Sequence, residues 1–176
     1  MLEIQYNSRD IWLATDKLSK TIFNIYEYRN PVILTVLKGG MFFTVDLMKM
    51  FPAHFKCQLE TVTCSSYLES TESTERVDIH IPNKTTNWIK GRHILIVDDL
   101  MDTGTTITQL SKLLAQTAAS VASCVLINKT GRRKISINPE YYAIKHTGDD
   151  FLVGYGMGYG EQYRHLPGIY KWVGDA

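Results

Sequence analysis

What this chain has little of narrows its reading first. It holds three cysteines, Cys57, Cys64 and Cys124, an odd number with no C-x-x-C pair. That argues against a disulfide framework and for reduced thiols in a cytoplasm. Charge of neither sign dominates: 19 Lys and Arg against 18 Asp and Glu leave a net of +1. A nucleic-acid surface would therefore need a local patch, and no nucleic-acid partner is expected. No apolar run reaches the ~20 residues of a membrane helix. The opening MLEIQYNSRD has no basic-then-apolar signal layout, so no membrane association is expected. His54, His80, His93, His146 and His165 show no metal-ligand spacing. The sequons Asn83-Lys84-Thr85 and Asn128-Lys129-Thr130 read as chance in this setting. There are no internal repeats and no linker.

What is present fits one domain: 176 residues, 44% hydrophobic and 21% charged. Strand-like and helix-like stretches alternate, which predicts a single α/β domain over residues 1–176, a mainly parallel twisted sheet with helices on both faces. Ile11, Leu18, Ile22 and Ile25 mark a surface helix over Asp10–Tyr28, broken by Pro31. Val32–Leu37 reads as a buried strand, Met41–Met50 as a second helix and Gln58–Cys64 as the next strand. Ser65–Lys90 is polar and leaves two options, a disordered loop or a hairpin with Val77–Ile81 as its strand. Further strands are expected at Ser123–Ile127, Tyr141–Ile144 and Phe151–Tyr155.

The most informative stretch is ILIVDDLMDTGTTITQL, Ile94 to Leu110. A buried strand, Ile94–Val97, leads to Asp98 and Asp99, then to the small, hydroxyl-rich loop Asp102-Thr103-Gly104-Thr105-Thr106. Ile107, Leu110 and Leu114 follow at helical spacing. Such a loop aims backbone N–H groups and a helix dipole at one spot, which suits a phosphate, and Gly104 allows close approach. Carboxylates at the strand tip suit sugar hydroxyls or a hard cation. A phosphorylated sugar satisfies all three. No Walker A loop and no dinucleotide fingerprint occurs. The plainer alternative is a strand-to-helix turn with Asp102 or Thr103 as N-cap.

The pattern of four apolar residues, Asp-Asp, two apolar residues, Asp-Thr-Gly, one residue and Thr resembles the phosphoribosyl-diphosphate signature of the type I phosphoribosyltransferases. Four other segments extend the likeness to the hypoxanthine–guanine members of that family. VLKGGMFFTVDLM resembles their pyrophosphate-contacting segment, with Leu37, Lys38 and Gly39 at its centre; in that family the peptide before this lysine is cis. Ser66-Tyr67 lies where the family opens a mobile loop, here about residues 65–80, that closes over the reaction. Lys129 matches the lysine that reads a purine 6-oxo group. Phe151 and Leu152 match the segment that stacks on the base, and Arg164 matches an arginine that reaches pyrophosphate. Taken alone, Lys-Gly-Gly is a plain turn, Lys129 a solvated strand end and Phe151 a core residue. Arg132, Arg133 and Lys134 read as a solvated turn, and Trp12, Trp88 and Trp172 as packing or surface residues.

The resemblance implies a type I phosphoribosyltransferase fold with a small hood and a flexible loop. It also implies transfer of a phosphoribosyl group from phosphoribosyl diphosphate to a 6-oxopurine in purine salvage. Thr103, Gly104, Thr105 and Thr106 would take the 5′-phosphate. Asp98 and Asp99 would hold the ribose hydroxyls and Mg²⁺, and Lys38 and Arg164 the pyrophosphate. Asp102 would be the general base at purine N7. Family precedent is a homodimer or homotetramer. The alternatives are a regulatory protein of the same fold that binds without turnover and a xanthine-preferring enzyme. One departure stands out: Gly158 occupies the position of an aspartate that helps hold a pyrophosphate-bound metal, leaving Glu161 or water to substitute.

Overall fold

Asn7 starts the first helix, α1, Ser8–Tyr26. Its side chain accepts from the N–H groups of Arg9 and Asp10 at 2.9 and 3.0 Å. Asp10 in turn accepts from the Asn7 N–H at 3.1 Å, which completes a capping box. The cap starts the helix at Ser8, ahead of the start at Asp10 expected from the apolar stripe. In the computed structural model, the residues described are 1–67, 76–82, 88–131, 133 and 136–174.

The elements follow in the order β1 (Leu2–Tyr6), α1, β2 (Val32–Leu37), α2 (Met41–Lys49), β3 (Gln58–Tyr67), β4 (Arg76–His80), β5 (His93–Met101), α3 (Thr105–Leu114), β6 (Ser120–Lys129), β7 (Tyr141–His146), β8 (Leu152–Val153) and β9 (Ile169–Trp172). Six strands form the main sheet in the order β4-β3-β2-β5-β6-β7. All neighbours in it are parallel except the β3–β4 pair.

Strand period two sorts the apolar residues into two cores. Ile33, Leu95 and Val97 face Ile11, Ile22, Phe43 and Leu47 of α1 and α2. Val32, Leu34, Ile94 and Ile96 face Ile107, Leu110 and Leu114 of α3. Helices thus cover both faces, as the alternation predicts, and burial on both faces explains why β2 and β5 read as unbroken apolar runs. Among the described residues, no helix is long and apolar enough to cross a membrane.

Several boundaries differ from the sequence expectation. β5 runs four residues past Val97, pairing Asp98 with Val125 and Met101 with Asn128. Asp98 and Asp99 therefore lie inside the strand and not at its tip. The expected strand Phe151–Tyr155 shrinks to Leu152–Val153, because Gly154 and Tyr155 take φ of 95° and 48° and turn the chain. Two strands went unpredicted, β1 and β9. They pair antiparallel, Leu2 with Trp172 and Ile4 with Tyr170, and with β8 form a separate three-stranded sheet. Of the two options for Ser65–Lys90, the hairpin holds. Ser65 pairs with Asp78 and Tyr67 with Arg76, so both ends of the loop expected over about 65–80 are strand. Residues 68–75 of it lie outside the described residues.

Candidate active site

A cavity of about 330 Å³ opens at the carboxyl ends of β2, β5 and β6, where open parallel sheets place ligands. The turn after β2 forms one wall: Leu37 and Lys38 are joined by a cis peptide, and Gly39 follows. Gly39 has no room for a side chain, since an ideal Cβ would lie on Asp99 Oδ2 and 2.6 Å from Asp99 Cγ. The glycine lets the turn lie directly on the carboxylate.

Asp98 is buried, and its Oδ1 accepts from the Asp99 N–H at 2.9 Å. Burial, and then the adjacent Asp99 charge, hold the Asp98 carboxyl well above the usual carboxylate range. Burial lifts Asp99 as well, against the pull of the Asp98 hydrogen bond and the Arg164 charge. A buried carboxylate beside a half-buried one is a poor resting arrangement and a good receptor for a cation or hydroxyl donors. Among the described residues, no group of three or more His, Cys, Asp and Glu side chains gathers in metal-binding geometry. A metal here would draw most of its oxygens from substrate and water, as Mg²⁺ readily does.

The loop after β5 turns on Gly104, the N-cap of α3, at φ 88°, a left-handed conformation that favours glycine. Thr103 and Thr105 hydroxyls lie 3.2 Å apart, and Thr108 Oγ1 donates to the Gly104 carbonyl at 2.7 Å. Neither Asp102 nor Thr103 is the N-cap; Gly104 offers no side-chain cap, while Thr103 Oγ1 accepts from the Thr105 N–H at 3.4 Å, and the positive end of a helix dipole here suits an anion. Asp102, just before this loop, faces Lys129, the last residue of β6. Lys129 Nζ sits 3.5 Å from Asp102 Oδ2 with only 2% of the residue exposed. A lysine buried to that degree needs a partner or a function.

Phe151 is 43% exposed at the cavity mouth, and Tyr159 and Trp172 stand edge-on to it at 5.6 and 6.2 Å. On the other flank Lys38 Nζ donates to Glu161 Oε2 at 2.7 Å, and Arg164 donates to Glu161 Oε1 at 3.2 Å. These two cations, Lys38 first, pull the Glu161 carboxyl below its ordinary range. Arg164 also donates to the Gly156 carbonyl at 2.7 Å.

The family model for the phosphoribosyl transferase domain matches residues 4–161. The chain belongs to the phosphoribosyltransferase family. Its relatives include a hypoxanthine-guanine phosphoribosyltransferase of Lactococcus lactis, 35% identical over 167 residues, covering 94% of this chain and 87% of that one. A hypoxanthine-guanine-xanthine phosphoribosyltransferase of Tritrichomonas foetus is 37% identical over 169 residues, covering 94% and 88%. A crystal structure of a hypoxanthine phosphoribosyltransferase from Staphylococcus aureus superposes with a TM-score of 0.86 at 31% identity, covering 96% of this chain and 90% of that one. The fold is that of the type I phosphoribosyltransferases, the three-stranded sheet serving as the hood.

The cavity gathers most of the residues singled out in the sequence. Leu37, Lys38, Gly39, Asp98, Asp99 and Asp102 line the cavity, as do Thr106, Lys129, Phe151, Leu152 and Arg164. Thr103, Gly104 and Thr105 form the loop beside it without lining it. Ser66 and Tyr67 close β3, opposite Val77 and Arg76. Cys64 was missed: it lines the cavity on β3, and burial with the nearby Asp98 pushes its thiol up to about 12, which leaves it unreactive. Arg133 is a correction. It is no solvated turn residue, for its guanidinium bonds the Met101 and Lys129 carbonyls at 3.2 and 2.9 Å. Gly158 is not in the left-handed range, and the atoms nearest to where its Cβ would stand belong to the flexible Arg164 side chain, Cζ at 2.8 Å, so its backbone does not require glycine.

Proposed function

We propose that the protein transfers the 5-phosphoribosyl group from phosphoribosyl diphosphate to hypoxanthine or guanine, forming IMP or GMP and releasing pyrophosphate. The observation that carries this reading is the buried Lys129 set 3.5 Å from Asp102 inside a cavity walled by Asp98 and Asp99. Lys129 supplies donors for a 6-oxo oxygen, and Asp102 an acceptor for the N7 proton of the same base. As that proton moves to Asp102, the N9 lone pair forms the bond to C1′. The C1′–O bond breaks and its electron pair leaves on pyrophosphate.

The other residues match charges to those changes. The developing sugar cation meets Asp98 and Asp99 in a low-dielectric wall, where their field is strong. First-turn N–H groups of α3 with the Thr103, Thr105 and Thr106 hydroxyls take the 5′-phosphate. Lys38 and Arg164 receive the pyrophosphate. Asp98 and Asp99 are the residues that would hold Mg²⁺, which would supply charge neutralisation for the leaving group. Phe151 offers an exposed ring face for the base.

The test is pyrophosphate release with phosphoribosyl diphosphate, Mg²⁺ and each of hypoxanthine, guanine, xanthine, adenine and uracil. Turnover of a 6-oxopurine with uracil inert is the expected result. No turnover with any base, alongside tight phosphoribosyl-diphosphate binding, would overturn it.

A further inference from the structure

Asp102 and Lys129 leave neighbouring strands at the point where those strands stop pairing. The β5–β6 register runs to Met101 opposite Asn128, and the two functional side chains stand on the next residue of each strand. Beyond that point Arg133 makes the connection. Its Nη2 donates to the Met101 carbonyl at 3.2 Å, to the Lys129 carbonyl at 2.9 Å and to Oδ1 of Asn128, itself a buried residue. Two protons serve three acceptors, so the nitrogen ties both strand ends and a side chain between them into one frame. The guanidinium is also costly to keep there. Among the described residues, Arg133 Nε and Nη1 are buried without a hydrogen-bond partner, a loss that stability alone would not favour.

We infer that Arg133 is a positioning residue that fixes the spacing between the general base and the lysine that reads the purine. The inference rests on the functional reading above. Reach and direction are needed for it: a lysine ammonium at 133 would carry the charge but ends one bond short of Nη2 and lacks the rigid plane that aims it.

The experiment compares wild-type protein with Arg133→Lys, measuring kcat and both KM values for hypoxanthine and phosphoribosyl diphosphate at fixed Mg²⁺, with thermal melting alongside. Displacing reacting groups by about 1 Å costs on the order of 10²-fold in rate. The expected result is a kcat lower by roughly 10- to 100-fold, with a rise in the hypoxanthine KM exceeding any change in the other. A purely structural arginine would reduce the folded fraction, lowering kcat with both KM values unchanged, and that result overturns the inference. So would wild-type kinetics in the variant. If Arg133→Lys does not fold, Asn128→Ala removes one of the three acceptors and carries the same readouts. Absence of turnover in the wild type would defeat the functional reading instead.

Discussion

The two flanks of the cavity are built on opposite principles. On the flank proposed for base and ribose, Asp98 is 7% exposed and Lys129 2%. On the flank proposed for pyrophosphate, the Lys38 and Glu161 side chains are 67% and 66% exposed. Charges in a dry wall act at low effective dielectric and discriminate sharply between partners. Charges in water act weakly and exchange quickly. The first property suits reading a purine and supporting a sugar cation. The second suits a product that must leave. The difference teaches that one cavity can be selective at one end and permissive at the other through burial alone.

Breaking the dry flank should have the largest effect. Asp102→Asn keeps the shape and removes the base, and kcat should fall about 10²–10⁴-fold, with a much smaller change in the phosphoribosyl-diphosphate KM. Steady-state kinetics decide it, and a loss confined to KM would make Asp102 a loop-shaping residue.

The next effect is on stability and runs opposite to activity. Asp98 is held above the usual carboxylate range by burial. The folded protein therefore holds that proton more tightly than the unfolded chain, and stability falls as pH rises from the ordinary carboxylate pKa through the raised one. Asp98→Asn should melt higher than wild type at pH 8, the gap closing toward pH 4, while turnover drops. Each kcal/mol recovered would read as about 2–4 °C in a chain of this length. Melting curves across that pH range test it, and a lower Tm for the variant at pH 8 would show that the carboxylate is not a burden.

The smallest effect belongs to the wet flank. Glu161 bonds both cations offered to pyrophosphate, so it competes with that ligand. Glu161→Gln should lower the phosphoribosyl-diphosphate KM by about two- to five-fold, the scale of exposed ion pairs. A higher KM in the same kinetics would mean that Glu161 helps to hold the ligand.

How far each flank was legible from sequence follows the same division. The Asp98–Thr106 loop is contiguous, so its residue types and spacing carry its geometry directly. β2 and β5 declared themselves because burial on both faces leaves unbroken apolar runs. Lys129 and Arg164 were legible only through family resemblance, since one cation after a strand has no local signature. Arg133 was misread because its acceptors are backbone carbonyls of two other strands, and a carbonyl has no letter in a sequence. The hood strands β1 and β9 escaped for a related reason. Each is short and mixed in polarity, and each gains its partner from the far end of the chain. Gly158 was noticed as a missing ligand, while its neighbour, the Arg164 side chain, is visible only in three dimensions.

The central claim is that the pair of buried Lys129 and half-buried Asp102 sets the identity of the base. The most direct measurement is the ratio of kcat/KM for hypoxanthine to that for adenine at fixed phosphoribosyl diphosphate and Mg²⁺. Lys129 offers a donor where adenine also offers one, and a site built to pair a polar group rejects the mismatched analogue by about 10⁴-fold. A ratio of that order is the expected result. A ratio near one would contradict the claim, placing base selection elsewhere in the cavity.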